Sequence, residues 1–203
     1  PGPGGLLAMR AAATVGAVLM ASGAGSRFGS NKLLHPVEGR PLIQRAFAAL
    51  PAALFDRAVV VSRYPEILSL AAQAGYHAFE NPFADLGQSR SVTLGLAAVE
   101  DLDGALFAVC DQPWLEKTTL VRLMSEFDGG ILALSCGKRR GNPVIFSKEY
   151  LKELSELSGD VGGRQVMARH REDVRFLEVN DDRELQDIDT REQMEIIERQ
   201  EEI

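Results

Sequence analysis

The residues best placed to do chemistry lie in three short stretches of a 203-residue chain. The first is Val15 to Lys32, VGAVLMASGAGSRFGSNK, in which an unbroken apolar run gives way to a loop with Gly23, Gly25 and Gly29. Glycines there allow consecutive backbone N–H groups to converge on an anion, and Arg27 and Lys32 add a planar fork and a mobile point charge. Such a loop can wrap phosphate. It is neither a dinucleotide fingerprint, because Phe28 stands where a third glycine is needed, nor a Walker loop, because Asn31 rather than glycine precedes Lys32.

The second stretch is Asp111-Gln112-Pro113, directly after the apolar run GALFAVC. A carboxylate at the mouth of a sheet can hold Mg²⁺, and Pro113 turns the chain out of the ladder. An ordinary turn aspartate would read the same way. The third stretch is DIDT, where Asp187 and Asp189 are two apart on an extended segment and share a direction. Alternatively, Asp189 or Thr190 simply caps the final helix.

These blocks resemble a known family. SGAGSRFGSNK is similar to the signature loop of the MobA-like nucleotidyltransferases. ENPFADLGQSRSVTLGL, CDQPWL, RRGNPVIF, GDVGGR and DIDT resemble its molybdenum cofactor cytidylyltransferase branch, and the match runs in order from Val15 to about Met194. Ser22 departs from the family's usual second alanine. The resemblance implies Arg27, Lys32 and Asp111 as catalytic residues, with metal at Asp111 and Asp189 or Asp187; Asp160 is a rival third carboxylate. Nucleotide contacts would come from Ala21, Ser22, Gly23, Ala24, Gly25, Ser26, Arg27, Lys32, Ser62, Gly87 and Ser91, with Ser89 a further candidate. Gly141, Asn142, Asp160 and Arg164 would face the second substrate, and Arg139 and Arg140 would attract its phosphate, although such a run is more often a solvated loop.

The implied reaction moves CMP from CTP to the phosphate of the molybdopterin-type cofactor and releases pyrophosphate, with Mg²⁺ as cofactor. GTP on the same cofactor, or another nucleotide on another phosphate, is the alternative. A carrier that only binds is a third reading. A molybdoenzyme or its chaperone would be a further partner. A phosphate monoester has a second pKa of about 6 and is already largely dianionic near neutrality, so no catalytic base is needed. The chain has three histidines and no G-x-S-x-G elbow.

Around these residues, strand and helix signals alternate along the chain. Strands are expected at 15–20, 57–62, 76–79, 104–110, 131–135, 143–146 and 175–179. Helices are expected at 41–50, 65–74, 89–99, 118–127, 148–157, 163–170 and 190–201. This alternation implies a three-layer α/β/α, Rossmann-like, mostly parallel sheet, of the nucleotide-diphospho-sugar transferase type by resemblance. Residues 1–8 read as an expression remnant or a disordered lead, and residues 9–203 as a single domain. Forty-five per cent hydrophobic residues suffice for a sizeable core, while a net charge of −7 argues against a nucleic-acid partner. The absence of an apolar stretch of about 20 residues argues against a membrane span and for a cytoplasmic protein. Cys110 and Cys136, each in an apolar run, read as buried thiols.

Overall fold

A computed structural model describes residues 13–23, 31–37 and 39–201. Its central element is a seven-stranded sheet, formed by β1 (Val15–Met20), β4 (Arg57–Ser62), β5 (His77–Glu80), β6 (Gly104–Val109), β7 (Ile131–Cys136), β8 (Arg139–Ser147) and β9 (Val174–Glu178). The order is β5-β4-β1-β6-β8-β7-β9. Every pairing is parallel except the two that β8 makes with β6 and β7. β2 (Pro36–Val37) and β3 (Arg40–Pro41) form a separate small ladder.

The helices follow from the same sequence logic. α1 (Leu42–Ala49) starts after Pro41, and α2 (Pro65–Gln73) carries proline at its first position, where its missing N–H costs nothing. Then come α3 (Gln88–Leu96), α4 (Lys117–Glu126), α5 (Lys148–Ser155), α6 (Arg164–Arg169) and α7 (Arg191–Glu201). Side chains alternate across each strand, so the central strands are apolar on both faces. Ala17, Leu19, Val60, Leu106 and Ala108 join one cluster with Phe47 of α1, Ile67 of α2 and Leu123 of α4. Val18, Val59, Val61 and Phe107 join the other with Leu96 of α3 and Leu154 of α5. The fold is therefore the expected α/β/α sandwich.

Two expectations need correcting. The strand expected at 143–146 runs from Arg139 to Ser147, because its first half is polar and escapes a search for apolar runs. It turns back after Cys136, and the ladder with β7 is irregular between Ala133 and Leu134. Cys136, expected to be buried, is only half-buried at the end of β7, whereas Cys110 is buried. Among the described residues, no helix is long and apolar enough to cross a membrane.

Glycine within α3 is explained by proximity. A Cβ at Gly95 would fall well inside the contact radius of Val18 on β1, so α3 can lie on the sheet only with glycine there. Gly95→Ala is therefore expected to lower unfolding stability by about 1–3 kcal/mol despite alanine's better helix propensity. A urea titration checks this through a lower midpoint at unchanged slope.

Candidate active site

The carboxyl ends of the parallel strands carry the expected residues, as open α/β sheets dictate. Lys32 opens a short 3₁₀ turn, Lys32–Leu34, started by Asn31, whose side chain accepts from the Leu33 N–H at 3.1 Å. Asp111 lies just past β6. Although 79 residues apart, the two meet, with Lys32 Nζ 2.7 Å from Asp111 Oδ2. The same ammonium donates to the Ile188 carbonyl at 2.7 Å and to Asp189 Oδ1 at 3.2 Å. One cation thus closes a loop and two distant segments onto a single point.

The backbone fixes this junction further. Ile188 N–H donates to the Asp111 carbonyl at 2.9 Å. Thr190 caps α7, since its hydroxyl accepts from Gln193 N–H at 3.3 Å, while Gln193 Oε1 reaches back to the N–H groups of Asp189 and Thr190 at 2.6 and 3.0 Å. This reciprocal arrangement is a capping box. It relieves Asp189 of capping, so its carboxylate is left to face Lys32.

The charges in this cluster are unbalanced. Burial alone would lower the Lys32 pKa, but the carboxylates of Asp111 and Asp189 outweigh it and hold the ammonium above its ordinary range. Asp187 is exposed at the rim, so solvent reaches one side of its carboxyl. The protein packed on the other side, and the charges of Asp111 and Asp189, push its pKa up to about 6 from 3.8, while Lys32 and the Gln112 side chain act in the opposite direction. Gln112, named beside Asp111 in the sequence but given no role there, is buried.

A divalent cation would meet a suitable donor set. Asp111 Oδ1 is buried and has no hydrogen-bond partner among the described residues, and Gln112 Oε1 next to it is likewise unpartnered. A carboxylate oxygen left bare beside two more carboxylates fits a hard cation with oxygen ligands. The described residues contain one His/Asp/Glu triad whose donor atoms all lie within 4.8 Å of one another, His170, Glu172 and Asp173. Asp111, Asp187 and Asp189 are looser than that, with the Lys32 ammonium inserted between two of them.

Other expected residues fall in different places. Ala24, Gly25, Ser26 and Arg27 lie outside the described residues. Ala21 and Ser22 are buried and tied to β4: Ala21 N–H and Ser22 Oγ both donate to the Val61 carbonyl, at 2.8 and 3.3 Å. Gly23 is exposed and its carbonyl accepts from Tyr64 Oη at 3.2 Å, a tether that the sequence reading missed. Ser62 is fully buried, donating to the Ala21 carbonyl at 2.8 Å and accepting from Tyr64 N–H at 3.1 Å. Ser91 is buried and accepts from Asn81 Nδ2 at 3.1 Å. These two serines, expected to touch nucleotide, have hydroxyls enclosed by protein and engaged with the segments that border the site. Ser89 is buried too, and its N–H reaches the Gly159 carbonyl at 3.2 Å. Gly87, with φ of 101°, lies so close to the backbone of Gly159 and Asp160 that no side chain would fit.

Next to the carboxylates, a cleft of about 1150 Å³ opens over the face of the sheet that carries α3 and α5. Asp187 stands in its wall, as do Gly141, Asn142, Asp160 and Arg164, the residues expected to face a second substrate. Arg140 lines it as well. Arg139 is exposed and does not, as adjacent residues on a strand point to opposite faces.

The family match identifies a nucleotidyltransferase. The model of the MobA-like NTP transferase domain matches residues 17–174, and the chain belongs to that family, whose substrates are nucleoside triphosphates. It is 28% identical over 194 residues to the purine catabolism protein PucB of Bacillus subtilis, covering 90% of this chain and 95% of that one. To the nicotine blue oxidoreductase of Paenarthrobacter nicotinovorans it is 29% identical over 189 residues, covering 87% and 93%. The solved structure of Rv0371c from Mycobacterium tuberculosis superimposes with a TM-score of 0.78 at 23% identity, over 93% and 99% of the two chains. A second structure of that protein, a complex with manganese, gives 0.68 at 23% identity over 82% and 88%.

In the metal-free protein, a ¹³C titration of the Asp187 carboxyl is expected to give a midpoint near 6. A folded-state pKa raised in this way favours the folded protein below about pH 4, an advantage lost as pH climbs through about 6. Lys32→Met removes a charge that lowers this midpoint, so the variant should titrate higher still. A midpoint near 3.8, unmoved by the substitution, would show that Asp187 stands apart from the cluster.

Proposed function

We propose that this nucleotidyltransferase moves CMP from CTP to the terminal phosphate of the molybdopterin-type molybdenum cofactor, releasing pyrophosphate. The observation that carries the reading is Lys32 drawn against both Asp111 and Asp189 at the carboxyl edge of the sheet. A binding-only carrier has little need to bring three carboxylates and a lysine from opposite ends of the chain to one point. The cytidylyl choice and the acceptor rest on the ordered likeness of the later blocks to one branch of the family. Both are tested rather than assumed below.

Asp111, with Asp187 and Asp189, would hold Mg²⁺, a reading supported by the buried, unpartnered Asp111 Oδ1. A bound divalent cation would neutralise charge on the triphosphate and on departing pyrophosphate. In our reading the chain itself supplies the rest. Lys32 exchanges its carboxylate partners for phosphate oxygens when nucleotide enters, and the glycine-rich loop after Met20 lends N–H groups to the same phosphates. The acceptor phosphate approaches from the cleft beside Asp187, and as a dianion it needs no residue to remove its proton. Rate then comes from alignment and from fixed charge rather than from acid–base chemistry.

Pyrophosphate release is to be measured with each of four nucleoside triphosphates, with and without the molybdopterin cofactor. Release with CTP only when the cofactor is present is the expected result; release with GTP instead would transfer the assignment to guanylyl transfer. Tight nucleotide binding without release in any combination would favour a carrier. Asp111→Asn should fold normally, being at the sheet's edge, yet turn over about 10²- to 10³-fold more slowly. Lys32→Ala should weaken triphosphate binding by about tenfold or more in a calorimetric titration.

A further inference from the structure

The cations of this acidic protein differ in whether a carboxylate answers them. Arg57, Arg63, Arg169, Arg175, Arg183 and Arg199 each pair with a carboxylate. Lys138, Arg140, Arg164 and Arg171 all line the cleft, and their side chains form no ion pair or hydrogen bond with any described residue. Against these four stand two acids of the cleft wall, Asp160 and Asp187. The cleft is thus locally positive in a chain whose net charge is −7.

Position separates this charge from the reacting centre. The Arg140 guanidinium lies 4.3 Å from the centre of the Phe176 ring, on β9. β9 is the far edge of the sheet, three strands from β6, after which Asp111 follows. Three spacings of about 4.8 Å put Phe176 about 14 Å across the sheet from that strand, and Arg140, rooted on β8 beside β6, reaches over β7 to meet its ring. Phe176 is level with Ala133, and through it with Val144 and Phe107, four residues before Asp111, whereas the Arg140 backbone pairs with Ser135, two residues nearer that edge. A single phosphate cannot touch both ends. The floor between them is apolar, made of Phe107, Val109, Ala133 and Val144.

We infer that the cleft holds an elongated acceptor with two anionic ends: a phosphate delivered to the carboxylate cluster, and a second oxyanion bound by Arg140 on its Phe176 platform, with an apolar body lying on the sheet between them. This rests on the transfer reading above and specifies its acceptor. Contact with the Phe176 ring holds the guanidinium in place and leaves its N–H edge to donate two hydrogen bonds to an oxyanion. Lys138 and Arg171 supply further positive charge along the same wall. Arg140 is accordingly a specificity residue that reads the end of the acceptor remote from the reaction.

Two measurements test this. With CTP and molybdopterin cofactor, Arg140→Ala should raise KM for the cofactor by about tenfold or more while leaving kcat and CTP affinity within about twofold. Arg122→Ala, which removes a cation of α4 outside the cleft, should change none of these. Separately, and without any turnover, the Arg140 Nε–H resonance should shift on titration with inorganic phosphate, and the shift should weaken in Phe176→Leu. An unchanged KM in folded Arg140→Ala, or an Arg140 signal indifferent to phosphate, overturns the inference. If no nucleotide and acceptor pair turns over, the transfer reading fails, and the phosphate titration still decides whether the oxyanion site exists.

Discussion

One ammonium group organises the catalytic edge of this protein. Lys32, Asp111 and the Ile188–Asp189 segment come from three remote parts of the chain, and without a cation between them their carboxylates would repel one another in a partly desolvated corner. The lysine resolves that conflict in the free protein. Its protonated form is favoured by the same carboxylates that need it, so the cluster is self-consistent at neutral pH. The resolution is incomplete, however. Asp111 keeps one oxygen bare and Asp187 keeps a raised pKa, so charge demand persists on the side facing the cleft. The cluster is thus stable enough to persist and still short of positive charge.

The sheet explains why that demand faces a cleft and not solvent at large. β8 runs against its neighbours and delivers Arg139 to Asn142 to the same edge at which β1 and β6 end. The irregular ladder between β7 and β8 beside Ala133 and Leu134 accompanies a strand whose polar first half contributes Arg140, Gly141 and Asn142 to the cleft wall. On the other side, the approach of Gly87 to Gly159 and Asp160 clips the start of α3 to the segment before α6. One wall of the cleft is therefore continuous with Gly87 and the start of α3, where Gly87, Ser89 and Ser91 are expected to serve the nucleotide. The packing that shapes one substrate's surroundings also shapes the other's.

Much of this was legible in the sequence, for identifiable reasons. Buried strands such as RAVVVS and GALFAV announce themselves as apolar runs, and Asp111 was conspicuous because it breaks one. Pro41, Pro65 and Thr190 marked helix starts through backbone chemistry that acts locally. What the sequence concealed depends on three-dimensional closeness. Ser62 and Ser91 have the right chemistry for a ligand, and only the fold reveals that their hydroxyls are enclosed and engaged with Ala21 and Asn81. The first half of β8 is polar on both sides of Gly141, so no periodicity marked it as strand. Arg140 and Arg139 are equivalent on paper, and the pleat alone sends one into the cleft and leaves the other outside.

The pairing of surface charges gives this arrangement its wider sense. An acidic protein that satisfied all its cations would repel a phosphorylated acceptor over its whole surface at low ionic strength. Here six arginines are paired with carboxylates, while Lys138, Arg140, Arg164 and Arg171 line a single apolar trough with no ion pair among the described residues. Low-dielectric walls strengthen the field of those four cations and direct an anion along the trough. Its far end carries a cation fixed by an aromatic ring, and its near end a cluster of carboxylates that repels a bare phosphate. The near end becomes hospitable only once positive charge arrives there. On the acceptor mode inferred above, binding at the far end and charge neutralisation at the near end are separate requirements, assigned to separate residues of the same sheet face.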